Sequence, residues 1–235
     1  MSATGRGAEY RPLAGYMTEP ALAAHLVGLL PIADGARVLE PHVGDGGFLR
    51  ALLPMARSGS IQLMVNDVDP GARGLLEAAH HARTFAEDFL RLELPVRPRW
   101  VIGNPPYSIP QEPIPCPKCA GKGSIAFRDG TRSRECTTCD ATGRLTPKPT
   151  PAAEQHVRRA LEIVEPGGHV AFLMRLGFLE GRDDLYEEHP VRRIWQVNPR
   201  PSFTGGGNDS ATYGFFHWTK GWRGGETTMI RTRWR

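Results

Sequence analysis

Short apolar segments alternate with helical segments along most of the chain, and this alternation constrains the fold more than any other feature. The predicted strands are 37–40, 61–65, 83–86, 99–102, 169–174, 193–197 and 212–218. Between them, apolar residues recur at helical spacing, as Leu22, Leu26 and Leu29 do. Strands that alternate with helices indicate a mostly parallel sheet covered on both faces. We therefore predict an α/β fold with a seven-stranded sheet.

A glycine-rich turn follows the first strand, at the carboxyl end where ligands bind in such sheets. Glu40 begins this turn, and Gly44 and Gly46 allow the backbone to approach a ligand closely. Asp67 follows the second strand and can accept hydrogen bonds from both hydroxyls of a ribose. The pair Asp88-Phe89 follows the third strand and can bind an adenine amino group and pack on its ring. The turn is not Gly-x-Gly-x-x-Gly and contains no lysine, so a dinucleotide or a nucleoside triphosphate fits it poorly.

The tetrapeptide Asn104-Pro105-Pro106-Tyr107 follows the fourth predicted strand directly. An adenine amino group is a weak nucleophile because its lone pair is delocalised into the ring. The Asn104 side-chain oxygen and the Pro105 carbonyl can accept its two hydrogens and stabilise the positive charge that develops on attack. Pro105 and Pro106 fix the backbone, and Tyr107 offers a ring for a base extruded from a duplex. A rigid Pro-Pro turn without chemistry is the simpler alternative.

All four cysteines lie in one segment, with the spacing Cys116-x2-Cys119-x16-Cys136-x2-Cys139. This spacing is typical of a structural zinc site, in which four thiolates leave no open position. Residues 116–145 have a net charge of +3, most of the chain's +4, so the module could contact DNA; a solvated or self-associating ribbon is the alternative. Proline-rich segments flank the module. We predict a zinc-ribbon insertion, 110–150, in a catalytic domain formed by 1–109 and 151–235.

Together these motifs resemble the amino-group DNA methyltransferases of the class I fold. Tyr16 and Thr18 match the amino-terminal cofactor motif of that family. Its glycine-rich motif, its two acids and its catalytic motif are matched by Glu40, Gly44, Gly46, Asp67, Asp88 and residues 104–107. The resemblance implies S-adenosylmethionine as cofactor and the N6 amino group of adenine in double-stranded DNA as substrate. The motif order is that of adenine methylases whose cofactor motif comes first, and residues 200–207 are similar to small phage and prophage methylases.

Three expectations about substrate and partners accompany this interpretation. Phe203 could stack on the base face opposite Tyr107, although residues 205–207 could equally form a plain hairpin loop. A homodimer or higher oligomer would help a small chain to cover a specific DNA site. A methyltransferase acting on a protein glutamine amide or on RNA, and a DNA-binding relative without turnover, are the rival functions.

The apolar pattern also predicts where the protein is found. The first twenty residues contain no apolar run of the kind found in a signal peptide. The longest apolar stretch, 21–33, is interrupted by His25 and Pro31 and is too short to cross a bilayer. We therefore expect a cytoplasmic protein without a membrane partner.

Overall fold

An eight-stranded β-sheet is the centre of the larger of two units into which the chain divides. The computed structural model describes residues 17–109, 111–127, 131–203 and 211–235, and the larger unit consists of Met1–Tyr107 and Ala152–Arg235. In chain order the strands are β1 (Ala36–Glu40), β2 (Ile61–Asn66), β3 (Arg83–Phe85), β4 (Trp100–Gly103), β5 (His169–Arg175), β6 (Arg193–Asn198), β7 (Tyr213–Thr219) and β8 (Thr228–Arg233). Their order across the sheet is β8-β6-β7-β5-β4-β1-β2-β3. Among the described strands, β7 alone is antiparallel to its neighbours, which confirms the mostly parallel sheet.

Helices cover both faces of this sheet. They are α1 (Pro20–Gly28), α2 (Gly47–Arg57), α3 (Arg73–Ala78), α4 (Ala153–Ile163) and α5 (Asp183–Glu188), with a short 3-10 helix at Leu176–Leu179. Successive strand residues face opposite cores, because side chains alternate along a strand. Val38 packs with α1, α2 and α3, whereas Leu39 packs with α4 and α5. Within the described residues, no helix is long and apolar enough to cross a membrane.

The end of the chain belongs to the sheet, although its basic composition is typical of a solvated tail. Thr228–Arg233 forms β8, an eighth strand that pairs in parallel with β6, so the predicted count of seven was one too few. Trp234 is buried, and its indole N–H donates to the Pro199 carbonyl at 2.7 Å. Thr232 is the one buried residue of β8, so the strand does not show an alternating apolar pattern in the sequence.

Two helices do not have the bounds that their prolines suggest. Helix α2 continues through Pro54 to Arg57, although an interior proline usually ends a helix. Leu52 and Leu53 are buried there, and this packing offsets the hydrogen bond that proline cannot donate. Helix α3 begins at Arg73 and not at Pro70, and it extends only to Ala78.

The smaller unit, Ser108–Pro151, contains three short antiparallel strand pairs that are nested in the sequence. Ser108–Ile109 pairs with Thr150–Pro151, and Ile114–Pro115 pairs with Arg144–Leu145. The innermost pair is Ser124–Ala126 with Ser133–Glu135. The four cysteines lie between these pairs and form the buried core of the unit.

Candidate active site and metal centre

The catalytic motif predicted from the sequence lies directly after β4, and a hydrogen-bond network orients its asparagine. The Asn104 side-chain amide donates to the Thr18 hydroxyl at 3.3 Å. The Tyr107 hydroxyl lies 2.8 Å from Asn104 Oδ1 and 3.0 Å from the Leu173 carbonyl, so it can donate to either. An amide oxygen has two lone pairs, so Asn104 Oδ1 can accept a further hydrogen while Tyr107 is bound.

The Tyr107 ring belongs to a cluster of aromatic and cationic side chains. Its centroid is 6.2 Å from that of Tyr213, and the Arg175 guanidinium carbon is 5.8 Å from it. Phe203 is buried and packs edge-on against Tyr213, with 4.7 Å between the centroids. The structure therefore places Phe203 in the same cluster as Tyr107, and its stacking on a base stays a prediction.

Two cavities adjoin these side chains. The larger has a volume of about 570 Å³ and is lined by Tyr107, Arg175, Gln196 and Thr212 among others. The second, of about 470 Å³, is lined by residues that include Thr18, Gly47 and Phe203. Both volumes lie within the range of small-molecule sites.

The glycine-rich turn after β1 is held in a conformation that requires glycine. Gly44 and Gly46 have φ angles of +47° and +84°, in the left-handed region that other residues rarely adopt. The Gly44 N–H donates to Asp67 Oδ2 at 2.8 Å, and the Asp69 N–H donates to Asp67 Oδ1 at 3.0 Å. Asp67 thus anchors the turn, a role that its position at the end of β2 did not reveal.

Gly47 is a close-approach position that sequence reasoning missed. A Cβ atom at Gly47 would lie 2.5 Å from the Thr18 carbonyl oxygen, so only glycine fits without a backbone shift. Threonine before Pro20 suits a helix cap by local propensity, but Glu19 occupies the cap position of α1. Thr18 is instead buried between Gly47 and Asn104. Tyr16, the other residue of the predicted amino-terminal motif, lies outside the described residues.

Glu40 ends β1 as a buried acid, and its Oε2 has no hydrogen-bond partner within the part of the chain that the structure describes. Burial raises the pKa of the Glu40 carboxyl well above its ordinary value, and the neighbouring Asp67 charge raises it further. Burial also raises the pKa of Asp67. A buried oxygen without a partner requires an explanation, and a polar or cationic ligand provides one.

The two residues predicted to contact an adenine differ in exposure. The Asp88 side chain is exposed, and its carboxylate accepts from the Leu90 N–H at 3.0 Å. Phe89 is buried, with its ring 5.0 Å from that of His42 and 5.8 Å from that of His156. Their contact with a cofactor stays a prediction.

A histidine pair beside Phe89 was also missed by the sequence analysis. His42 Nε2 and His156 Nδ1 are 2.7 Å apart, linking the glycine-rich turn to α4. Burial lowers the pKa of His156 to about 4 and that of His42 well below its ordinary value. The pair is therefore neutral near pH 7, and one ring donates to the other. Nothing in the spacing of two histidines 114 residues apart indicates this contact.

The four cysteines are arranged as metal ligands. Their sulfur atoms all lie within 4.8 Å of one another, and the Cys116–Cys136 and Cys119–Cys139 pairs are separated by 3.9 and 3.7 Å. Four thiolates around one tetrahedral zinc ion, at about 2.3 Å each, would lie about 3.8 Å apart. The observed separations therefore fit a four-thiolate zinc site.

Two similar turns carry these cysteines and pack closely against each other. The Cys116 N–H donates to the Gly143 carbonyl, and the Cys136 N–H donates to the Gly123 carbonyl, both at 2.8 Å. A Cβ at Gly123 would lie 2.2 Å from the Ala141 carbonyl oxygen. Ala141 itself has φ +60°, although glycine is the residue that suits this conformation.

Comparison with known proteins identifies the fold. No family model matches the chain. A segment of 99 residues, 42% of the chain, is 36% identical to the type II methyltransferase M.TthHB8I of Thermus thermophilus and spans 22% of that enzyme. A Listeria monocytogenes protein assigned to the class I S-adenosylmethionine-dependent methyltransferases superimposes with a TM-score of 0.61 at 14% identity, over 95% of this chain and 67% of that one.

The methyltransferase subunit of a type I restriction-modification system from Streptococcus thermophilus gives a TM-score of 0.62 at 17% identity, over 95% of this chain and 48% of that one. The chain thus spans about half of that subunit and about a fifth of the Thermus enzyme. These similarities show that the chain has the class I methyltransferase fold, in agreement with the fold class expected from the sequence.

Proposed function

We propose that the protein transfers a methyl group from S-adenosylmethionine to the N6 amino group of an adenine in double-stranded DNA. The observation that carries this proposal is the Asn104-Pro105-Pro106-Tyr107 motif at the carboxyl end of β4, with Asn104 oriented by hydrogen bonds on both sides. The similarity to the Thermus type II methyltransferase supports DNA as the substrate.

In the proposed reaction the protein activates the amine without removing a proton first. Asn104 Oδ1 accepts one amino hydrogen and the Pro105 carbonyl accepts the other. Both acceptors would stabilise the positive charge that grows on nitrogen as its lone pair forms the new N–C bond and the methyl–sulfur bond breaks, leaving its electron pair on the departing thioether. The methylated nitrogen would then lose its extra proton to water. Because Thr18 and Tyr107 hold the Asn104 amide in place, little reorganisation is needed when the base arrives.

The residues after β1, β2 and β3 fit the cofactor, which supplies an electrophilic methyl group on a sulfonium. Gly44 and Gly46 would let the backbone of the turn approach the cofactor closely. Asp67, which anchors this turn through the Gly44 N–H, would also accept from ribose hydroxyls. The unpartnered Glu40 oxygen would accept from a cationic or N–H group of the ligand. Asp88 and Phe89 would bind its adenine.

The proposed zinc ion has a structural role. Cys116, Cys119, Cys136 and Cys139 would hold it, and four protein ligands leave no position for a substrate. The ion would stabilise a small unit whose buried core consists of these cysteines with Ile125 and Leu145 packed against them.

The direct test is methyl transfer from labelled S-adenosylmethionine to DNA lacking N6-methyladenine, followed by nucleoside mass spectrometry. We expect N6-methyladenine with the wild-type protein and none with Asn104→Ala. Parallel reactions contain RNA and a protein extract. Labelling confined to either of these would replace the proposal with a rival substrate, and tight DNA binding without any transfer would indicate an inactive relative.

A further inference from the structure

Arg175 lies beside the catalytic motif but is not part of any motif noted in the sequence. It is the last residue of β5, and its side chain is exposed at the same sheet edge as Asn104 and Tyr107. Its guanidinium carbon is 5.8 Å from the centroid of the Tyr107 ring, the geometry of a cation–π contact. Arg175 and Tyr107 both line the cavity of about 570 Å³.

The described residues that line this cavity carry positive charge. Its described lining residues include two arginines, Arg175 and Arg182, and neither aspartate nor glutamate. Arg182 donates to the Phe178 and Glu180 carbonyls and forms a 3.4 Å ion pair with Glu154. Arg182 therefore braces the 3-10 helix, and Arg175 places its charge over the Tyr107 ring that lines the same cavity.

We propose that Arg175 binds the phosphate next to the target adenosine and holds the extruded nucleotide against Tyr107. The inference rests on the proposed function, because a base that leaves the duplex to reach Asn104 brings its phosphate to the rim of the same cavity. Arginine presents a planar fork that binds a phosphate in a bidentate manner. Because Arg175 also contacts Tyr107, it holds the phosphate in a fixed position relative to the ring on which the base stacks.

A phosphate contact has a signature that a purely structural role lacks. Each neutralised phosphate contributes about 0.9 to the slope of log K against log salt for duplex DNA. Fluorescence anisotropy with a duplex carrying the methylated site should show a slope about 0.9 smaller for Arg175→Ala, with about tenfold or greater loss of affinity. Arg175→Lys retains the charge and should keep the slope.

Arg193 provides a matched control. Its guanidinium carbon also lies over an aromatic ring, 5.5 Å from the Trp195 centroid, but it is the first residue of β6 and therefore lies away from the carboxyl ends of the parallel strands. Arg193→Ala should leave both the salt slope and the methylation rate unchanged. A lower slope in this variant as well would contradict a specific contact at Arg175.

Substituting a neutral methylphosphonate next to the target adenosine gives the decisive comparison. It should weaken wild-type binding as much as Arg175→Ala does, and it should weaken Arg175→Ala no further. If Arg175→Ala reduces turnover but the salt slope and the methylphosphonate effect match the wild type, Arg175 only braces Tyr107 and the inference is wrong. If wild-type protein does not methylate DNA, the proposed function fails and the inference fails with it.

Discussion

Replacing Gly47 with alanine tests whether the cofactor turn and the catalytic motif act through one shared residue. Gly47 begins α2, and a Cβ added there would lie 2.5 Å from the Thr18 carbonyl oxygen and 3.1 Å from the Thr18 Cβ. Real Cβ atoms essentially never approach closer than 3.0 Å, so Thr18 would have to move by at least about half an ångström. Thr18 is buried and cannot move freely.

The expected size of the effect follows from the next contact. The Thr18 hydroxyl receives the Asn104 amide at 3.3 Å, already near the limit for a hydrogen bond, and a shift of half an ångström breaks it. Asn104 then loses one of its two orienting contacts. Misplacement of a reacting group by 1 Å costs on the order of a hundredfold in rate, so about tenfold is expected here, or about 1.4 kcal/mol. Overpacking should cost about 1–3 kcal/mol of stability.

Single-turnover methylation and urea unfolding measure these two quantities. Thr18→Val removes the hydroxyl but keeps the side-chain shape, and should reproduce a slower rate with little loss of stability. Gly28→Ala is the control, because no atom lies within 4 Å of a Cβ at Gly28. A wild-type rate in both Gly47→Ala and Thr18→Val would refute the reasoning, since Asn104 would then need no support from Thr18.

Further predictions concern the catalytic asparagine, the cofactor turn, the metal centre and the histidine pair. Asn104→Ala should abolish methyl transfer but leave the cofactor affinity measured by calorimetry nearly unchanged. Asp67→Ala should weaken cofactor binding about tenfold in the same measurement, because the anchor of the Gly44 turn is lost. Elemental analysis should find one zinc per chain. In chelator competition, Gly143→Ala should lose the metal more easily than Gly121→Ala. A Cβ at Gly143 would lie 2.2 Å from the Gly121 carbonyl oxygen, whereas a Cβ at Gly121 would lie no closer than 3.5 Å to any atom. Because burial lowers the pKa of His156 from 6.5 to about 4, stability should fall as the pH drops through this window, with a His156 share of about 2 kcal/mol at pH 5. His156→Gln should remove that share in urea titrations at pH 5 and pH 8, and an unchanged pH dependence would contradict the assignment.

Features that depend on local sequence could be predicted, because a strand end and the turn after it are encoded by adjacent residues. The turn after β1 and the motif after β4 are of this kind, and the cysteine spacing is equally local. Features that depend on contacts across the chain could not be predicted. The His42–His156 pair joins residues 114 positions apart, and β8 is a strand only because β6 offers it an edge.

Thr18 illustrates why the residues of a site can be predicted more easily than their roles. Threonine before Pro20 is a good helix cap by local propensity. In the folded chain its carbonyl lies against Gly47 and its hydroxyl accepts from Asn104, so neither polar group caps the helix. Three segments that are separate in the sequence, the amino-terminal motif, the cofactor turn and the catalytic motif, therefore meet at one buried side chain. A local pattern can identify Thr18 as a special residue, but only the contacts with Gly47 and Asn104 explain why it is there.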